Sequence, residues 1–180
     1  MAATDPSGSI RENRADLEKT ARRAYTIVVL LGKNGKGLEE RRQIARGLEQ
    51  QGMTVWIPED AIPREISPSL AEEEMLTHGD PDLVFLDVDS WGTATEFGQF
   101  HDHRTVAPKL RVLVRVQYHP LYQTQPSYLS DVYLTHLAVF GHVYPIGAAG
   151  AVNSKNAKDL TTLLATRYAE VKRIKPELTR

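Results

Sequence analysis

The sequence predicts an α/β protein of the flavodoxin-like kind, a three-layer sandwich around a five-stranded parallel sheet in the order 2-1-3-4-5. Three observations carry that expectation. Apolar runs such as "YTIVVLLG" (25–32) and "DLVFLDV" (82–88) are short and nearly unbroken, the pattern of strands buried on both faces. Stretches of helical periodicity lie between them, and the two types alternate five times. The connections are short, as right-handed β–α–β crossovers require.

Each element has its own signal. "MAATDPSGS" is small, polar and punctuated by Pro and Gly, and "IRENRADLEKTARRA" mixes both charge signs at helical spacing beside Leu17 and Ala21. Residues 1–24 therefore read as a mobile tail and an N-terminal helix, ahead of a single α/β domain over 25–180. The first strand is followed by "LEERRQIARGLEQQG", with Leu38, Ile44, Ala45 and Leu48 on one helical side and Gly52 at its end. "MTVWIPE" (53–59) reads as the second strand. "SPSLAEEEMLTHG" reads as a helix begun near Ser67 and stopped by Gly79. The third strand leads into a helix over "GTATEFGQFHDHRTV" (92–106), and "LRVLVRV" (110–116) is the fourth strand. The next helix carries Leu129, Val132, Tyr133, His136, Leu137 and Phe140 along one stripe, so His136 reads as a core histidine. "HVYPI" is the last strand, and the closing helix is expected to turn Leu160, Leu163, Leu164, Tyr168 and Val171 inward.

Composition narrows the function. The 180 residues are 41% apolar and 25% charged with a net charge of -1, which gives no electrostatic footprint for a nucleic-acid polymer. There are no cysteines, so disulfides, thiolate metal sites and Cys nucleophiles are excluded, in keeping with a reducing cytoplasm. No apolar run approaches the roughly 20 residues of a membrane helix. Arg22-Arg23 ahead of the first strand is not read as a twin-arginine signal, because the apolar run is short and no cleavage site follows.

In such a sheet ligands bind beyond the carboxyl ends of the strands, where the winding direction switches, here between strands one and three. The loops at that point are the chain's most unusual. "GKNGKG" places Gly32, Lys33, Asn34, Gly35 and Lys36 at a helix start, a setting that suits an anionic oxygen or phosphate, or serves only as a solvated β–α turn. It is neither a Walker loop nor a G-x-G-x-x-G fingerprint. "DSWGTATEFG" (89–98) has two readings as well. Thr93 and Glu96 have the spacing of a capping box, with Thr93 as N-cap and Glu96 at N3. Alternatively, the three acids Asp87, Asp89 and Glu96 at one strand end repel one another and are there because chemistry uses them.

Gly92, Thr93, Glu96 and Gly98 form a G-T-x-x-E-x-G pattern that resembles the nucleoside 2-deoxyribosyltransferase family and its nucleotide N-glycosidase relatives. The resemblance implies cleavage of an N-glycosidic bond, by hydrolysis or transfer. Glu96 would be the nucleophile at the anomeric carbon, and Asp87 or Asp89 would help with sugar hydroxyls and the departing base's proton. Gly32 to Lys36, Gly92 and Thr93 would line the substrate site, with a small-molecule nucleoside or nucleotide as ligand and no cofactor or metal. The lysines tilt the expectation toward a 5′-phosphorylated substrate. The family's habit of completing its pocket from a second subunit implies a homo-oligomer, with Asn153 or Asn156 as contributors. The Ser90-Trp91 insertion before the Gly-Thr departs from the family's spacing. "SWGTATE" also matches half of the phosphoribohydrolase motif, and TIR-like NAD glycohydrolases use a similar glutamate. A nucleotide-sensing or protein-interaction module without turnover is the reading from another class.

Other features are assigned to structure. His101 and His103, two apart on the expected helix, face different sides and make no metal site. Tyr118, Tyr122 and Tyr128 are assigned to packing in preference to stacking on a base.

Overall fold

Strands β1 (Ile27–Leu31), β2 (Thr54–Trp56), β3 (Leu83–Val88), β4 (Leu110–Arg115) and β5 (Val143–Ile146) form one parallel sheet in the order β2-β1-β3-β4-β5, as the sequence predicts. The computed structural model describes residues 25–63, 65–123, 127–147 and 156–179, so the tail and N-terminal helix read over 1–24 lie outside the described residues. Six α-helices are described: α1 (Lys36–Glu49), α2 (Pro58–Ala61), α3 (Pro68–His78), α4 (Trp91–Phe100), α5 (Tyr128–Phe140) and α6 (Ala157–Ile174). None of them is long and apolar enough to cross a membrane.

Successive strand residues point to opposite faces, and the core divides accordingly. Val28, Leu30, Leu83 and Phe85 pack against Ile44, Ala45 and Leu48 of α1 and Ala165 and Ala169 of α6. Val29, Leu31, Val84, Leu86 and Val88 pack against Leu76 of α3, Phe97 and Phe100 of α4 and Tyr133 of α5. At the sheet's opposite end, Lys172 of α6 donates to both carboxylate oxygens of Asp82 at 2.7 Å and anchors that helix.

Three expectations need correction. Strand β2 stops at Trp56, because Pro58 takes the first position of the short helix α2, where its missing N–H is no loss. The inward face of α6 is made of Thr161, Ala165 and Ala169, with Leu164 and Tyr168 at its margin, while Leu163 is exposed. Small residues there let α6 approach the sheet and α1 closely. The helix expected over 92–106 occupies 91–100 instead, and its boundaries reshape the site.

Registers at the switch point are unequal. Leu31, the last residue of β1, pairs with Leu86, whereas β3 runs on to Val88 and pairs there with Val114 of β4. Asp87 and Asp89 therefore project past the end of β1, and a crevice opens beside them.

Candidate functional site

The carboxyl edge of β1 and β3 carries acids on both sides of the sheet. Asp87 has the same parity as Leu83 and Phe85, so its side chain faces α1 and α6. A cavity of about 50 Å³ lies there, walled by Gly32, Lys33, Arg41, Asp87, Asp89 and Lys158 among others. The ammonium of Lys33 donates to Asp89 Oδ2 in a close ion pair. Arg115, at the end of β4, stands 3.6 Å from that same oxygen and 3.9 Å from Asp87 Oδ2. The Asp89 hydrogen bond raises the Lys33 pKa above that of an ordinary lysine. Burial pushes Asp87 up to about 6, with the Arg115 charge pulling the other way. The Oδ1 atoms of Asp87 and Asp89 are buried and have no hydrogen-bond partner among the described residues.

Lys33 can lie across this cavity because Gly37 has no side chain; a Cβ there would stand 2.6 Å from Lys33 Cγ. Gly35 is the N-cap of α1, and no side chain caps that helix. Asn34, Gly35 and Lys36 are exposed and lie outside the cavity wall.

The N-cap of helix α4 falls three residues ahead of the Thr93 expected. Ser90 is its N-cap: Thr93 N–H donates to Ser90 Oγ, and Ser90 N–H donates to Thr93 Oγ1 at 3.0 Å. The capping box is therefore Ser90 with Thr93, and the box expected from Thr93 and Glu96 does not form. Thr93 is buried, its hydroxyl committed to the cap, while Gly92 is exposed in the first turn. Trp91, the first helical residue, is 92% exposed.

Glu96, freed from capping, lies a turn and a half into α4 on the other side of the sheet. It is half-buried, and its Oε2 is buried without a partner among the described residues. Burial pushes its pKa up to about 7, the charges of Glu72 and Glu59 add to the rise, and Arg41 opposes it. Glu72, on α3, is itself raised by burial and by Glu59. The acids of β3 thus sit among cations, while Glu96 shares its surroundings with two further glutamates.

Arg41 belongs to both sides. It is buried on α1, lines the cavity, and donates to the carbonyls of Leu30 (3.1 Å) and Lys33 (3.0 Å). It also makes a two-pronged pair with Glu59 of α2 at 2.8 and 2.6 Å. Its Nε–H has no hydrogen-bond partner among the described residues. Lys33 is tied to Arg41 through its carbonyl and to Asp89 through its ammonium.

Arg41, Glu59, Glu72, Arg115 and Lys158 were not singled out from sequence. Two of them had a signal there. Arg41 falls on the stripe of Leu38, Ile44 and Leu48, and Arg115 interrupts an apolar strand run; a charge in either place requires a buried partner. Glu72 is one of three consecutive glutamates, and nothing marks which of them turns inward.

Other expected residues are placed as follows. His136 is buried in the core with its Nδ1 3.0 Å from the His101 carbonyl, but its Nε2 is buried without a partner among the described residues, so the histidine is only half satisfied. His101 is the C-cap of α4 and His103 lies in the turn beyond it, so the helical spacing assumed for the pair does not apply. Tyr118 and Tyr128 are exposed, contrary to the packing role expected of them, whereas Tyr122, though partly exposed, packs its ring 5.0 Å from that of buried His119. Asn156 caps α6, its side chain accepting from Asp159 N–H at 2.8 Å; Asn153 lies outside the described residues. The chain matches no protein-family model and no curated protein.

Proposed function

We propose that the chain cleaves the N-glycosidic bond of a nucleoside or nucleotide, with Glu96 as the attacking carboxylate. The observation that carries this is Glu96 itself: a buried, unpartnered carboxylate oxygen at the switch-point edge, in a helix that another residue caps. A carboxyl kept half-buried among other acids destabilises the fold, and such groups cluster where chemistry uses them.

The roles follow from the surroundings. A Glu96 oxygen bonds to the anomeric carbon as the carbon–nitrogen bond breaks, and that bond's electron pair leaves with the base. Glu72, whose charge bears on Glu96, relays a proton from solvent to the departing base. Water, or a second base in a transferase, then attacks the same carbon, displaces Glu96 and returns a proton to Glu72. Asp87 and Asp89, whose Oδ1 atoms have no partner among the described residues, face the opposite side of the sheet and take no part in this step. Because Glu96 attacks only when ionised, kcat/KM rises with pH through about 7.

A nucleotide-binding module without turnover is the second reading. It is favoured by the placement of Asp87 and Asp89 toward a cavity on the opposite face from Glu96, and by that cavity's size, about 50 Å³ against roughly 300–1,000 Å³ for ordinary ligand pockets. One experiment separates the two. The chain is incubated with nucleosides, 5′-nucleotides and NAD, and free base is read by chromatography for wild type and Glu96→Gln. The glycosidase reading expects base from wild type and a loss of about a thousandfold or more in the variant with its melting temperature kept. Base released at equal rates by both proteins would remove Glu96 from the mechanism, and no base from any substrate would favour the binding module.

A further inference from the structure

The sheet has two edges, β2 and β5, and they are finished differently. At β5, Val112 N–H donates to the His142 carbonyl at 2.9 Å, and the register turns the backbone of Tyr144 toward β4 and that of Val143 and Pro145 outward. Pro145 carries no N–H, so an approaching strand meets a missing donor there. At β2, Thr54 N–H donates to the Thr26 carbonyl at 2.9 Å, and Thr54, Val55 and Trp56 lie beside Ile27, Val28 and Val29. The C=O and N–H of a trans peptide point opposite ways, so the Met53 C=O and both backbone groups of Val55 point off the sheet. Ile57 is extended (φ −116°, ψ 115°), and its N–H continues the row. No strand lies beyond β2 to receive these groups, and Pro58 comes too late to blunt them.

Along this edge, on the α1 face of the sheet, runs an open groove of about 330 Å³ lined by Ala45, Arg46, Glu49, Val55 and Ile57 among others. Arg42, at its rim, is already committed to Asp60 at 2.9 and 2.6 Å. Arg46 and Glu49 are exposed, nearly one turn apart on α1, and make no ion pair among the described residues.

A second copy of the chain fits this edge by symmetry. Antiparallel pairing about a two-fold axis at Val55 gives each Val55 two hydrogen bonds to the Val55 of the other copy. It also sets each Ile57 N–H against the other copy's Met53 C=O. The remaining groups at those ends are satisfied within the chain: Met53 N–H donates to the Leu48 carbonyl at 3.2 Å, and the Ile57 carbonyl accepts from Asp60 and Ala61 N–H. The same axis brings Arg46 of each α1 against Glu49 of the other, and the two Val55 side chains meet in the groove. An unrelated peptide would have to match that order of charges; a second copy does so automatically.

We infer that β2 is a self-pairing edge that joins two copies of the chain into one continuous sheet. The strands of the two copies run in opposite directions. Their carboxyl edges, and with them Asp87, Asp89 and Glu96, therefore lie on opposite margins of the joined sheet, and neither copy completes the other's site. This contact differs from the pocket-completing one that the family resemblance implies, and it does not rest on the glycosidic reading.

The test uses the full chain, which has no cysteine of its own. Sedimentation at micromolar concentration is expected to show a dimer. Arg46→Glu and Glu49→Arg, both on exposed helix surface, should each weaken it at least about tenfold, because like charges then meet across the axis; the double exchange should restore it. Unchanged far-ultraviolet circular dichroism in the single variants separates loss of association from loss of fold. Val55→Cys places one thiol per chain at the axis, with Cα atoms about 5.5 Å apart, the spacing of a hydrogen-bonded antiparallel pair and within reach of a disulfide. Oxidation with diamide should link this variant into a covalent dimer, whereas Val139→Cys, exposed on α5, should stay unlinked. A chain that sediments as a monomer overturns the inference. So does a dimer that the single reversals leave unchanged, or one that Val55→Cys fails to link.

Discussion

The two sides of the switch point hold the same kind of group in opposite settings. Toward α1 and α6, Asp87 and Asp89 face Lys33 and Arg115, and each cation reaches a carboxylate oxygen directly or nearly so. Toward α3 and α4, Glu96 Oε2 has no hydrogen-bond partner among the described residues; Arg41, whose charge acts on Glu96, is already held in a two-pronged pair with Glu59. Burial raises carboxyls on both sides, so burial does not distinguish them. The neighbours do: cations on the first side favour the ionised carboxylates, and acids on the second hold Glu96 in its protonated form to a higher pH.

Removing Arg41 should break this comparison most severely. Arg41→Ala strips Glu59 of its partner and leaves the Leu30 and Lys33 carbonyls without their donor. A loss of about 2–4 kcal/mol is expected in urea unfolding, somewhat below the roughly 3–5 kcal/mol of a fully buried pair because Glu59 is partly exposed. The same change takes away the cation that opposes Glu96 protonation, so Glu96 should titrate higher still in a carbon-detected NMR experiment. An unfolding midpoint unchanged from wild type would mean that Arg41 does not bind the two sides together.

The next effect is one of pH. In the folded chain Glu96 keeps its proton up to about 7 and Asp87 up to about 6, against ordinary values of 4.5 and 3.8. The folded state therefore binds more protons than the unfolded state between about pH 4 and pH 7, and stability falls as pH rises through that window. Glu96→Gln removes about half of this effect. It should match wild type at pH 4 and exceed it by about 1–2 kcal/mol at pH 8, a figure reduced for solvent screening at a half-buried site. Parallel stability curves for the two proteins across that range would show that Glu96 is not perturbed.

The smallest effect belongs to the cation side. Asp89→Asn should cost about 1 kcal/mol or less, because Lys33 is nearly half exposed and water takes up its charge. Its signature is in Lys33, whose raised pKa should fall back toward that of an ordinary lysine when the Asp89 hydrogen bond is lost. An unchanged Lys33 titration would show that the ion pair is not formed in solution.

The sheet was legible because each strand is a continuous apolar run and each crossover a distinct helix, so order and parity follow from the pattern. The helix start was not. "SWGT" and "TATE" both place a hydroxyl residue three before a possible reciprocating partner, and local spacing cannot choose between them. The choice is made by β3, which ends at Val88 and leaves only Asp89 ahead of Ser90. Glu96 is thereby moved from a cap into the body of α4, where its neighbours come from α1, α2 and α3. Those neighbours were hidden for the same reason: Arg41 and Glu59 are 18 residues apart, and they meet because Pro58 turns the chain into α2.

Trp91 has a consequence outside chemistry. The chain has two tryptophans: Trp56 packs against the core beside α3, and Trp91 stands in solvent at the first position of α4. Their fluorescence differs accordingly, a blue-shifted emission shielded from acrylamide from one and a red-shifted, readily quenched emission from the other. The second indole is five residues from Glu96 on the same helix, so the quenchable fraction of the emission reports occupancy of this edge of the sheet without any label.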